Sequence, residues 1–120
     1  MEYSARRRGL ETFVSGDVVV LDFPFSDFQH AKRRPALVLH VFRTDVFIAQ
    51  ITSRAYRDEY SVPLDSQDFL EGGLQLSSLI RADFLITCAQ SLVLYKVGRV
   101  HDKKLCEVIN VTCAMLRGEA

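Results

Sequence analysis

The chain has 120 residues, 48% of them hydrophobic and 25% charged, with Lys+Arg and Asp+Glu equal at 15 each. That length and apolar fraction specify one globular domain with its own core and exclude a disordered chain. The zero net charge argues neither for nor against a nucleic-acid partner, so any polyanion has to be recognised by a local patch.

Residues 1–13 read as a flexible N-terminal arm ahead of a single domain over residues 14–120. The arm's Arg6, Arg7 and Arg8 have no apolar segment behind them, so it is not a secretory signal. It is either a frayed terminus or a basic arm for nucleic acid. No apolar run approaches the roughly 20 residues of a membrane span, and three cysteines without disulfide or CxxC spacing suit a cytoplasmic protein.

GDVVVLDF (16–23) is a β-branched run and reads as the first strand. A polar loop with two aromatics, PFSDFQHAKRR (24–34), follows it. PALVLHVF (35–42) and DVFIAQIT (45–52) are strands separated only by Arg43 and Thr44, which predicts a hairpin. SRAYRDE (53–59) is a second charged loop, and YSVPL (60–64) is a short strand that Pro63 confines to an edge. DSQDFLEGG (65–73) predicts a single helical turn or loop.

SSLIRADFLIT (77–87) and SLVLYKVGRV (91–100) read as the last strands. The period then changes. Leu105, Val108, Ile109, Thr112, Cys113 and Leu116 recur at helical spacing, with Asp102 as cap and Gly118 just past the end. Six or seven short strands and one terminal helix predict a mainly β fold, a small antiparallel barrel with a C-terminal helix packed on it.

Phosphate-binding glycine loops, zinc-protease and serine-elbow motifs and Cys/His metal spacings are all missing. The expectation is therefore no metal and no cofactor. Cys88, Cys106 and Cys113 have no CxxC spacing and read as reduced buried thiols. His40 reads as a core or edge histidine and His101 as a turn residue.

What remains are polar residues at strand ends. Lys32, Arg33 and Arg34 form a run of cations against Pro35, which suggests a held anion. Thr52 and Ser53 end the third strand. Arg81 and Asp83 interrupt an apolar run, and strand alternation puts both on one face. The residues alone leave that pair open as a site, an exposed face or a simple ion pair.

GDVVVLDFPFSD, KRRPALVL, VFIAQITSR, YSVPLD, DFLEGGLQLSSLIRAD and KVGRVHDKKLCEVI, in that order, resemble the PemK/MazF family of toxins from type II toxin–antitoxin pairs. The resemblance covers nearly everything from Ser15 to Leu116. It implies an SH3-like barrel, a homodimer, a cognate antitoxin with which the toxin binds DNA, and metal-independent endoribonuclease activity (an mRNA interferase) on single-stranded RNA. Carried over by position, Arg34 matches the family's loop arginine, Thr52 its strand-ending hydroxyl, and Arg81 and Asp83 its arginine–aspartate pair. His30 is a loose counterpart of a loop histidine.

RNA carries its own nucleophile, the 2′-hydroxyl, so cleavage needs a base, a cation for the phosphorane and an acid for the 5′-oxygen. On this reading Arg34 takes the transition-state charge and Thr52 orients the phosphate. Asp83 is the base, with Arg81 tuning it or adding a phosphate contact. Lys32, Arg33, Ser53, Arg54, Arg57 and His30 line the RNA path, and Phe25 and Phe28 stack bases. Two alternatives remain: a non-catalytic toxin resembling the CcdB toxins that bind DNA gyrase, and a module that holds RNA without cutting it. The strand at 91–95 and the loop at 23–28 are the candidate dimer surfaces.

Overall fold

The structure, a computed structural model, describes residues 12–23, 32–53 and 58–119. Arg6, Arg7, Arg8, Phe25, Phe28, His30, Arg54 and Arg57 lie outside the described residues, as does the side chain of Lys32. Seven strands form one sheet: β1 (Asp17–Phe23), β2 (Lys32–Val41), β3 (Asp45–Thr52), β4 (Ser61–Leu64), β5 (Phe69–Gly72), β6 (Ser78–Ala89) and β7 (Val93–Val100). A C-terminal helix, α1 (Asp102–Leu116), follows. The strand order is β4-β6-β3-β2-β1-β7-β5, and every pairing is antiparallel. The expected β architecture with its helix is present, as a curled half-barrel with β4 and β5 at the edges.

The valine run of β1 is apolar on both sides because both faces of the sheet are covered. Val18 joins an inner core with Leu37, Ala49, Ile51, Ile80 and Ala82, closed by Val108 of α1. Val19, Leu21 and Phe23 join an outer core with Ala36, Val38, Ile48 and Phe13. Thr112 ties the helix down by donating its hydroxyl proton to the Ala82 carbonyl at 2.9 Å. Asp17 is fully buried at the start of β1 and is paired with Arg99 at 3.0 Å and Lys96 at 3.2 Å.

Several local expectations are corrected. Residues 65–73 hold a short 3₁₀ turn (Ser66–Asp68) and then a true strand, β5, hydrogen-bonded to β7. That pairing needs glycine: a Cβ on Gly98 would lie 2.6 Å from the Glu71 carbonyl oxygen. The second strand begins at Lys32 rather than at Pro35. His101, not Asp102, occupies the N-cap position, and no side chain caps the helix. Cys106 is exposed and Cys88 and Cys113 are half-buried, so the thiols are not core residues. His40 is exposed and meets Phe42 edge-on with ring centroids 4.8 Å apart. Pro63 does lie in an edge strand, where its missing N–H breaks no interior ladder.

Candidate active site

One end of the sheet collects the ends of β1 and β3 and the starts of β2, β6 and β7. Here β2 overhangs its neighbour. Its ladder with β1 runs out to Phe23↔Lys32, whereas its ladder with β3 begins only at Ala36↔Gln50. Residues 32–35 therefore have a strand on one side only. That position accommodates Pro35, which cannot donate to a second ladder.

Because these residues are strand rather than loop, alternation starts Arg33 and Arg34 off toward opposite faces, although both line one cavity at this end of the sheet. The two arginines differ in their partners. Arg33 faces its cross-strand partner Asp22 at 3.7 Å, both largely exposed, a contact worth little in water. Arg34 is different: its Nε is buried and has no hydrogen-bond partner, alone in this among the described side-chain atoms. An orphaned buried donor typically costs about 1–3 kcal/mol. On a permanently charged guanidinium an unpaired donor favours an anionic acceptor.

Arg81 and Asp83 sit two strands away, on β6. Between the pairs Ala49↔Leu85 and Ile51↔Ile80, Gln50 alone on β3 faces Arg81, Ala82, Asp83 and Phe84 on β6. The motif thus lies in a pronounced bulge, an irregularity that re-aims side chains. Arg81 grips Asp83 through two parallel contacts, Nε to Oδ1 and one terminal nitrogen to Oδ2, both at 3.1 Å. Ala82 between them is fully buried, as alternation requires.

The pair is connected to the arginine end through aromatics. The Arg81 guanidinium lies 5.7 Å from the Phe84 ring centroid. Phe84 in turn meets Phe23 edge-on at 6.3 Å. Phe23 is the cross-strand partner of Lys32, and Leu21, two residues before it, is the partner of Arg34. Thr52, half-buried, pairs with Leu79 at the last rung of β3 and β6, between the two arginine strands. Arg34, Thr52 and the Arg81–Asp83 pair thus occupy three adjacent strands at one end of the sheet. Neighbouring strands are about 4.8 Å apart, so the span from Arg34 to Asp83 is on the order of 10 Å across the sheet.

A cavity of about 520 Å³ opens at the same end and takes Arg33, Arg34, Pro35 and Ser53 into its lining. Thr52, Arg81 and Asp83 do not line it. Of the other polar or aromatic lining residues, Gln75 and Ser78 were not singled out from the sequence, and Tyr95 entered only within the candidate dimer strand at 91–95. Their only sequence signals were the polar letters of GLQLSS after a Gly-Gly and a tyrosine in a strand. A larger cavity of about 760 Å³ lies beside the start of α1, and three of its charged lining residues pair with one another. Lys104 there binds Glu107 at 2.9 Å, the Pro63 carbonyl at 2.9 Å and Asp68 at 3.7 Å. Among the described residues, no three His, Cys, Asp or Glu side chains are grouped to hold a metal ion. No helix among them is long and apolar enough to cross a membrane.

The profile of the PemK-like, MazF-like toxins of type II toxin-antitoxin systems matches residues 15–116, and the chain belongs to that family. Solved structures agree on the fold. MazE–MazF from Deinococcus radiodurans superposes with a TM-score of 0.71 at 23% identity, covering 92% of this chain and 99% of that one. MazF alone from the same organism gives 0.68 at 23% identity, covering 89% and 98%. An endoribonuclease in complex with its cognate antitoxin from Mycobacterial species gives 0.68 at 18% identity, covering 91% and 98%. Comparison with curated proteins returns no match.

Proposed function

We propose that this toxin is an endoribonuclease that cuts single-stranded RNA by attack of the 2′-hydroxyl, without a metal ion. The observation that carries the reading is the buried Arg34 Nε, a charged donor with no protein acceptor at the mouth of the sheet. Family membership and the likeness to an endoribonuclease fold support it.

The scissile phosphate sits against Arg34, and Thr52 orients it from the neighbouring strand. Asp83 takes the 2′-hydroxyl proton; an ionised carboxylate has acceptor sites beyond the two that Arg81 occupies. Arg81 fixes the carboxylate's plane through its paired contacts. As the 2′-oxygen–phosphorus bond forms, charge gathers on the non-bridging oxygens, where the Arg34 guanidinium stabilises it. The bond to the 5′-oxygen breaks, and that oxygen takes its proton from solvent at the open mouth. A 2′,3′-cyclic phosphate and a 5′-hydroxyl remain. The guanidinium stays charged throughout.

A homodimer and a cognate antitoxin belong to the same proposal, supported by the antitoxin complexes among the structural neighbours. The test is incubation of purified protein with single-stranded RNA in EDTA, beside Arg34→Ala. The expected result is cleavage in EDTA that falls about 10²–10³-fold in the variant. Cleavage that requires magnesium, or that survives the substitution, overturns the mechanism. Growth arrest with intact message and inhibited gyrase would instead mark a gyrase-binding toxin, and bound but full-length RNA a non-cutting module.

A further inference from the structure

We infer that the cavity beside Arg33 and Arg34 is a nucleobase subsite, with Tyr95 as its stacking platform and Gln75 as the residue that reads the base edge. This rests on the proposal that RNA is the substrate. The floor of the cavity is apolar. Tyr95 pairs with Val20 and Val20 pairs with Pro35, so one row of side chains on one face runs across β7, β1 and β2. Tyr95 and Pro35 therefore stand two strand spacings apart, about 10 Å, with Val20 between them. The cavity that these residues line, about 520 Å³, has room for one planar ring against the tyrosine.

Two polar residues, Gln75 and Ser78, also line the cavity. Ser78 donates its hydroxyl proton to the Leu76 carbonyl at 3.0 Å, so what it offers the cavity is an acceptor. The Gln75 amide supplies donor and acceptor side by side. An aromatic face flanked by a donor–acceptor rim is the combination that single-stranded RNA readers present to a splayed base.

Two further features favour a nucleotide over a protein side chain. Tyr95 and Leu76 are 47% and 68% exposed although large and apolar, which marks the rim as a contact surface. The mouth of the same cavity carries the two arginines, one with its orphaned Nε. A nucleotide brings a flat ring and an anion in one unit and satisfies both.

The test uses the full chain and 2′-O-methyl RNA oligonucleotides, whose blocked 2′-oxygen prevents cutting, with affinity read by fluorescence anisotropy. Tyr95→Ala is expected to weaken binding about 5- to 100-fold, the range for losing one base–aromatic stack. Tyr95→Phe, which keeps the ring, is expected to regain it. Gln75→Ala is expected to change the base preference at one position beside the cut when fragments of a randomised RNA pool are sequenced. Unchanged affinity in Tyr95→Ala with an unchanged cut-site profile in Gln75→Ala overturns the subsite. So does a Tyr95→Ala protein that binds RNA normally but loses self-association in sedimentation, which would assign the tyrosine to a subunit interface. Because the binding arm needs no catalysis, an Arg34→Ala enzyme that still cuts would sink the mechanism and leave the subsite standing.

Discussion

Arg34 is held in a conformation that the folded chain alone does not satisfy, and that sets up an opposition between stability and activity. Arg34→Met removes the charge and the orphaned donor while keeping an unbranched stem. The expected outcome is a gain of about 1 kcal/mol, read as a rise of a few degrees in the thermal midpoint, with cleavage falling at least a hundredfold. A parallel loss of both would make Arg34 structural. Cysteine chemistry separates residues just as sharply. Burial, aided by Asp45, pushes the Cys88 thiol above its ordinary value. A raised thiol has less thiolate at any pH below its titration, so Cys88 should react slowly at pH 8 and faster as pH rises past 9. Exposed Cys106 should react first with a thiol reagent because it is accessible, and equal rates at pH 8 would contradict this. Adjacency in sequence made Arg33 and Arg34 look like one fork. The structure separates them by partner rather than by place: both line one cavity, but Arg33 meets Asp22 while the buried Arg34 Nε has no acceptor.

Among the elements, α1 shows how spacing names a helix but not the centre of its buried stripe. Val108 is fully buried and Thr112 nearly so, whereas Ile109 is 38% and Leu116 73% exposed. Val108→Ala is therefore expected to cost about 2 kcal/mol, and Leu116→Ala to stay within about 0.5 kcal/mol of wild type. Denaturant midpoints check both, and a large loss at Leu116 would require a covered helix face. The C-terminus of α1 was legible in full. Gly118 has φ 74°, the Glu119 N–H donates to the Ala114 carbonyl at 2.8 Å, and the Gly118 N–H donates to that of Met115 at 3.0 Å. β5 was not legible, because it exists through a backbone approach to β7 that no local propensity encodes. The bulge at Arg81–Phe84 was likewise invisible: simple alternation placed Arg81 and Asp83 correctly but gave no hint that Gln50 alone would face that stretch.

For the molecule as a whole, zero net charge supplies no overall attraction to RNA, so attraction rests on local patches such as the arginines at the mouth. Two arginines on single-stranded RNA predict a log–log salt slope of about −1.4, at roughly −0.7 per phosphate neutralised. Titrating 2′-O-methyl RNA between low and moderate salt checks it, and a slope of about −3 or steeper would put further cations on the RNA path. The order of motifs along the chain was sufficient to indicate the family, the strand-rich fold with its helix, and Arg34, Thr52, Arg81 and Asp83 as residues to watch. Those features are local in character: hydrophobic period, turn chemistry and charges placed where a strand should not carry them. Which faces the side chains share, which guanidinium lacks a partner, and that Gln75 and Tyr95 stand beside Arg34 were settled by strand pairing and sheet curl. Contacts between residues tens of positions apart depend on register and closure, and a linear pattern does not contain them.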